Sequence, residues 1–208
     1  MKKAVYEHIR INRKKYMYLI LSLVLGMILG YFALMAVSEE MMTELKKYMT
    51  ENLKIFLSYS GDLDSKEYFK SVFSSEWVYF LILWGVAHSR ASVFFPSVFM
   101  LYKGYTFGFT FAFITNCFDG KGLLFNIAVL LTQNTIKIPT LLFASNCSMS
   151  YALKKSPDKV MRRTGENKGV AGIYTAYMLA SLLVYSLGIF VECYIIPYFV
   201  FILAEDMI

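Results

Sequence analysis

Apolar residues in this chain arrive in blocks of about twenty, the length a helix needs to cross a bilayer. That one feature excludes most soluble folds, whose cores interleave apolar and polar residues at helix or strand period. The blocks lie at about Tyr16 to Val37, Trp77 to Phe94, Ser97 to Phe118, Leu123 to Leu153 and Val170 to Phe201. Of the 208 residues 57% are hydrophobic and 17% charged, and most of the charges gather between the blocks. The pattern predicts an all-α membrane protein, a bundle of about five transmembrane helices forming a single integral membrane domain over residues 1–208. The first block lacks a small-residue cleavage pattern near Ala36 and is followed by further blocks, so it reads as a span rather than a cleaved signal.

The net charge is +6, and its placement decides its meaning. Lys2, Lys3, Arg10, Arg13, Lys14 and Lys15 stand against Glu7 in the tail of residues 1–15. A second basic segment, 154–169, carries Lys154, Lys155, Lys159, Arg162, Arg163 and Lys168 against Asp158 and Glu166. Basic residues beside spans mark the cytoplasmic side and contact anionic lipid, which accounts for the charge without nucleic acid as a partner. With five spans the N-terminus is cytoplasmic and the C-terminus external. The segment 38–76, with eight acids and five lysines, becomes an external helical linker. Within it Met41 or Met42, Leu45, Tyr48 or Met49, Leu53 and Phe56 or Leu57 recur at helical spacing. That spacing predicts an amphipathic helix, lying on the membrane surface or capping the bundle, or else docking an external partner.

No catalytic residues, cofactor or metal site emerges. Cys117, Cys147 and Cys193 have no CxxC spacing, His8 and His88 are far apart, and no nucleophile elbow, HExxH or phosphate-binding loop occurs. The expectation is a non-enzymatic protein. Small residues four apart, Gly26 with Gly30 and Gly104 with Gly108 and Ala112, mark faces for close helix packing or partner contact, and they leave a homo-oligomer open.

The stretch LLTQNTIKIPTLL, from Leu130 to Leu142, carries Gln133, Asn134, Lys137 and Pro139 in apolar surroundings. With Lys103 and Glu192 these form the polar intramembrane set. Lys103 is near enough to a span end to snorkel, whereas Lys137 demands a counter-charge, and Glu192 is the one acid in the later spans. A Lys137–Glu192 pair follows as a hypothesis, with His88 and Arg90 at the cytoplasmic mouth. Gln133 and Asn134 read as interhelical hydrogen-bonding groups. The alternative is a transporter, channel or permease-like subunit whose polar path they line.

The run VFMLYKGYTFGFTFAFI, followed after a short join by LLTQNTIKIPTLLFA, resembles the paired segments of the stage II sporulation protein M family. Lys103, Gly104, Gly108 and Phe109 match its first segment; Leu131, Gln133, Asn134, Ile138 and Pro139 match its second. Thr132 departs from it, standing where the family usually has proline. The basic EHIRINRKKYMYLILSLVLGMILG is similar to the start of its sporulation members. The resemblance implies a multi-pass cell-membrane protein of endospore formation, at the sporulation septum and in the mother-cell membrane that engulfs the forespore. It implies a scaffold that anchors two peptidoglycan hydrolases, a lytic transglycosylase and an amidase/endopeptidase. Gly26, Gly30, Gly104 and Gly108 are then candidate contacts for the partners' membrane anchors.

Overall fold

The computed structural model describes residues 10–58, 65–89, 93–154 and 166–205. Lys2, Lys3, Glu7, His8, Arg90, most of the basic segment after Lys154, and Asp206 lie outside the described residues. The helices are α1 Arg13–Met35, α2 Glu39–Ser58, α3 Ser65–Val86, α4 Phe95–Cys117, α5 Asp119–Phe125, α6 Thr132–Lys154, α7 Glu166–Phe190 and α8 Ile196–Glu205. A π-helical turn, Asn126–Leu131, joins α5 to α6, and another, Val191–Ile195, joins α7 to α8. Each of these pairs is one continuous rod.

Three helices, not five, are long and apolar enough to cross a membrane among the described residues: Arg13–Met35, Gly120–Leu153 and Gly169–Leu203. This corrects the five-span expectation, and the reasons lie in α3 and α4. The apolar part of α3 begins at Trp77 and the helix ends at Val86, so it rises only about 15 Å against a hydrocarbon core of about 30 Å. The part before Trp77 carries Lys66, Glu67, Lys70 and Glu76. The block counted to Phe94 had run across a helix end. In α4, Lys103, Thr106, Thr110, Thr115 and Asn116 dilute the hydropathy of an otherwise sufficient length. The external assignment of the C-terminus rested on alternation over five spans and loses that basis, whereas the cytoplasmic N-terminus was read from the basic tail. The three apolar rods stay largely unburied within the protein, with 28%, 28% and 33% of their most apolar stretches covered, so their remaining surface is available to lipid.

What α4 lacks in hydropathy it has in fit to α1. Gly26 and Gly30 lie against the carbonyl oxygens of Leu101 and Tyr105, and Gly104 and Gly108 against those of Leu23 and Met27. Residue numbers rise together on both helices, so α1 and α4 run parallel. A Cβ at any of the four positions would collide with a backbone oxygen. Lipid tails are as apolar as leucine, so burial alone does not drive membrane helices together; close backbone approach does. The faces offered on sequence to partner anchors are therefore covered by one another within one chain. Ala112 is buried one turn farther along α4.

Polar side chains secure the other contacts. Asn126, fully buried in the first π turn, donates from Nδ2 to the Phe111 carbonyl and to Thr115 Oγ1, each at 2.9 Å, and so ties that turn to α4. Near the end of α3 the Leu83 carbonyl accepts from Ser148 Oγ of α6 at 3.1 Å and from Tyr174 OH of α7 at 3.0 Å. Those bonds brace one of the carbonyls at a helix end. Asn126→Leu should lower stability by about 1 kcal/mol, in line with hydrogen bonds between membrane helices. An SDS-unfolding midpoint equal to that of the unaltered protein would contradict the role given to Asn126.

The amphipathic helix expected from residue 39 onward is α2. Met42, Leu45, Met49 and Leu53 turn inward, and Met49 packs on the cluster of Ile114, Phe125, Val129 and Ile196. Met41, Tyr48 and Ile55, seven residues apart, face outward and are 54%, 69% and 54% exposed.

Pro139 lies inside α6 without ending it and stands on an exposed face. Pro197 is the second residue of α8, one residue after the second π turn, where the wider turn relieves the clash of a proline ring with the preceding turn. The first π turn ends immediately before Thr132, the position of the family's proline. The local irregularity therefore persists without that residue, ahead of it rather than at Pro139.

Candidate functional site: a polar cavity at the centre of the bundle

One helical face of α6 presents Gln133, Asn134, Lys137, Ile138 and Leu141, spaced three and four apart. A face of α4 presents Met100, Lys103, Thr106, Phe107 and Thr110 with the same spacing. Where they meet, a cavity of about 170 Å³ opens, closed by Leu23 of α1, Glu76 of α3, Tyr185 of α7 and Glu192 of the second π turn. Five of the six polar residues singled out on sequence line it; the sixth, Pro139, does not.

Lys137 is the pivot. Its Nζ donates to Glu76 Oε2 at 2.8 Å and to Glu192 Oε2 in a short contact, and it stands 5.6 Å from the centre of the Tyr185 ring. The Lys137–Glu192 pair posed on sequence is thus present, with a second carboxylate that was not foreseen. Gly188 makes room for it, since a Cβ there would come within 2.9 Å of Lys137 Cγ. The Lys137 side chain is 7% exposed and the two carboxylates 20% and 19%, so the cation is sealed while both anions keep an open edge. Three separate rods meet in this triad, which locks the polar α3 to the apolar α6 and α7–α8.

Lys103 also lines the cavity, with its Nζ 3.6 Å from the centre of the Tyr79 ring. Asn134 Nδ2 donates to the Leu130 carbonyl at 2.7 Å, within its own rod. The interhelical role expected of Gln133 and Asn134 belongs instead to Asn126. Glu76 escaped notice because it closes the charged segment before Trp77 and looked like a boundary residue. The signal available was charge balance: Lys103 and Lys137 were set against Glu192 alone.

His88 lies elsewhere, at the far end of α3, against the rings of Trp84, Tyr151 and Tyr174. Among the described residues no group of three or more His, Cys, Asp or Glu is arranged to hold a metal ion, and the three cysteines are free and buried. Asn146, in an NCS triplet, is fully buried.

The model of the family described as stage II sporulation protein M matches residues 19–197. The chain belongs to the stage II sporulation protein M family. The match contains every residue that lines the cavity and all four glycines of the α1–α4 contact. Membership together with three apolar rods makes this a multi-pass membrane protein with a sporulation-related role. No curated protein and no solved structure matches the chain. Within the stage II sporulation protein M segment pair, the residues that carried the resemblance divide by task. Gly104 and Gly108 hold α4 on α1, while Lys103, Gln133 and Asn134 line the cavity.

Proposed function

We propose that the chain is a non-enzymatic membrane scaffold of endospore formation that anchors peptidoglycan hydrolases at the septal membrane during engulfment. The family match over residues 19–197 carries this reading. The partners it implies are a lytic transglycosylase and an amidase/endopeptidase, and the site of action is the mother-cell membrane at the septum. The chain's own charges support a scaffold, because the buried Lys137 is clamped between two carboxylates rather than set beside a nucleophile.

The glycine faces of α1 and α4 are covered, which moves the docking surface to α2. Met41, Tyr48 and Ile55 form an exposed stripe along one side of that helix, bordered by Glu44, Lys47, Glu51 and Lys54. An apolar stripe with a charged rim suits a helix or a folded partner surface.

The test is purification of the tagged protein in mild detergent from sporulating cells, with partners identified by mass spectrometry. Wild-type protein should bring down the cell-wall hydrolases. Tyr48→Glu, at a position 69% exposed and so harmless to folding, should cut their recovery at least tenfold. Hydrolase recovery unchanged by Tyr48→Glu would remove α2 from the proposal, and a wild-type preparation without hydrolases would remove the scaffold.

A further inference from the structure

Two chemically different sets of groups line the cavity. In one set, Glu76 and Glu192 share the single cation Lys137, leaving one negative charge in excess and the two carboxylates partly open. In the other, Lys103 touches the Tyr79 ring and makes no ion pair or hydrogen bond among the described residues. Its ammonium has three donors, and a ring face satisfies none of them as hydrogen bonds. The Gln133 amide is likewise without a hydrogen-bond partner among the described residues. Unfilled donors and partly open carboxylates thus line the same small space.

Two lysines and two glutamates make the cavity neutral as a whole. A lone anion or a lone cation entering it would leave one charge uncompensated in a low-dielectric setting, which is costly. A ligand with one charge of each sign keeps the balance and answers both sets of groups. At about 170 Å³ the space is below the roughly 300–1,000 Å³ of drug-sized sites, so the occupant has only a few heavy atoms inside.

We propose that this cavity binds a small zwitterion, its ammonium on the open edge of Glu76 and Glu192 and its acidic group on Lys103 and Gln133. Two sources offer that chemistry: a free amino acid, or the headgroup of an ethanolamine phospholipid entering from the bilayer. A phosphatidylcholine headgroup lacks the N–H donors that the carboxylates require. The site is independent of the scaffold reading, and neither depends on the other's outcome.

The full-length protein in nanodiscs of phosphatidylcholine alone would be titrated with glycine and with glycerophosphoethanolamine, whose phosphodiester carries a single negative charge. In parallel, nanodiscs of mixed phosphatidylcholine and phosphatidylethanolamine would be analysed by native mass spectrometry for retained lipid. Saturable binding of glycine identifies the free source; retention of phosphatidylethanolamine over phosphatidylcholine identifies the lipid source. Either should weaken at least tenfold in Lys103→Met and in Gln133→Leu, and acetate or ethylamine alone should not bind. The two variants act at separate helices, so if one fails to fold the other decides. Binding of none of the three probes, binding unchanged in the variants, or acetate binding as well as glycine would overturn the assignment.

Discussion

Lys137→Met is expected to destabilise the protein by about 3–5 kcal/mol, the range for removing one partner of a buried ion pair. The loss is larger than that of the favourable contacts alone, because Glu76 and Glu192 would be left facing each other with no cation between them. Lys137 is 5% exposed, so water does not substitute for the missing ammonium. The effect should therefore reverse when the carboxylates go. Glu76→Gln with Glu192→Gln on the Lys137→Met background should recover most of the stability, since an uncharged cluster avoids the desolvation cost. SDS unfolding of the detergent-solubilised variants measures both steps. A Lys137→Met midpoint near wild type, or a triple variant no better than the single one, would show that the triad does not hold α3 to the rods.

Gly104→Leu or Gly26→Leu should be at least as damaging. Ordinary overpacking costs about 1–3 kcal/mol because neighbouring side chains shift. Here the obstruction is backbone, the carbonyls of Leu23 and Leu101, so relief requires α1 and α4 to separate along their length. α4 lies outside the three helices long and apolar enough to cross a membrane, so this contact is its main attachment to one of them. The destabilisation should appear in the purified chain without any hydrolase present. Unaltered stability combined with lost hydrolase recovery would mean that the glycines serve a partner and not the chain's own packing.

The residues that the sequence singled out are mostly those the structure uses, though in different roles. Gly26, Gly30, Gly104 and Gly108 were visible by their spacing of four, but spacing carries no information about which face meets which. Register supplied by the chain itself, parallel α1 and α4, resolved that. Lys137 was visible because a charge in an apolar run demands a partner. Glu192 shared that visibility, whereas Glu76 did not, since hydropathy marks a residue by its neighbours and Glu76 has charged ones on one side. The span count failed for a related reason. Hydropathy windows do not see helix ends, and α3 stops at Val86, ahead of the His88, Ser89, Arg90 and Ser92 that the block had taken in. α4 shows the converse, a helix whose polar residues face a cavity and whose small residues replace hydropathy with fit. The continuity of the two long rods was beyond sequence reach, because a proline inside a helix breaks it in one context and is absorbed by a wider turn in another.

The scaffold reading is tested most directly by placing a photo-crosslinking amino acid at Tyr48 of α2 and irradiating sporulating cells. The account predicts a covalent adduct with a peptidoglycan hydrolase, present during engulfment and absent when the crosslinker replaces the inward-facing Leu45. Full expression of the membrane-inserted protein with no hydrolase adduct at Tyr48, Met41 or Ile55 would contradict it.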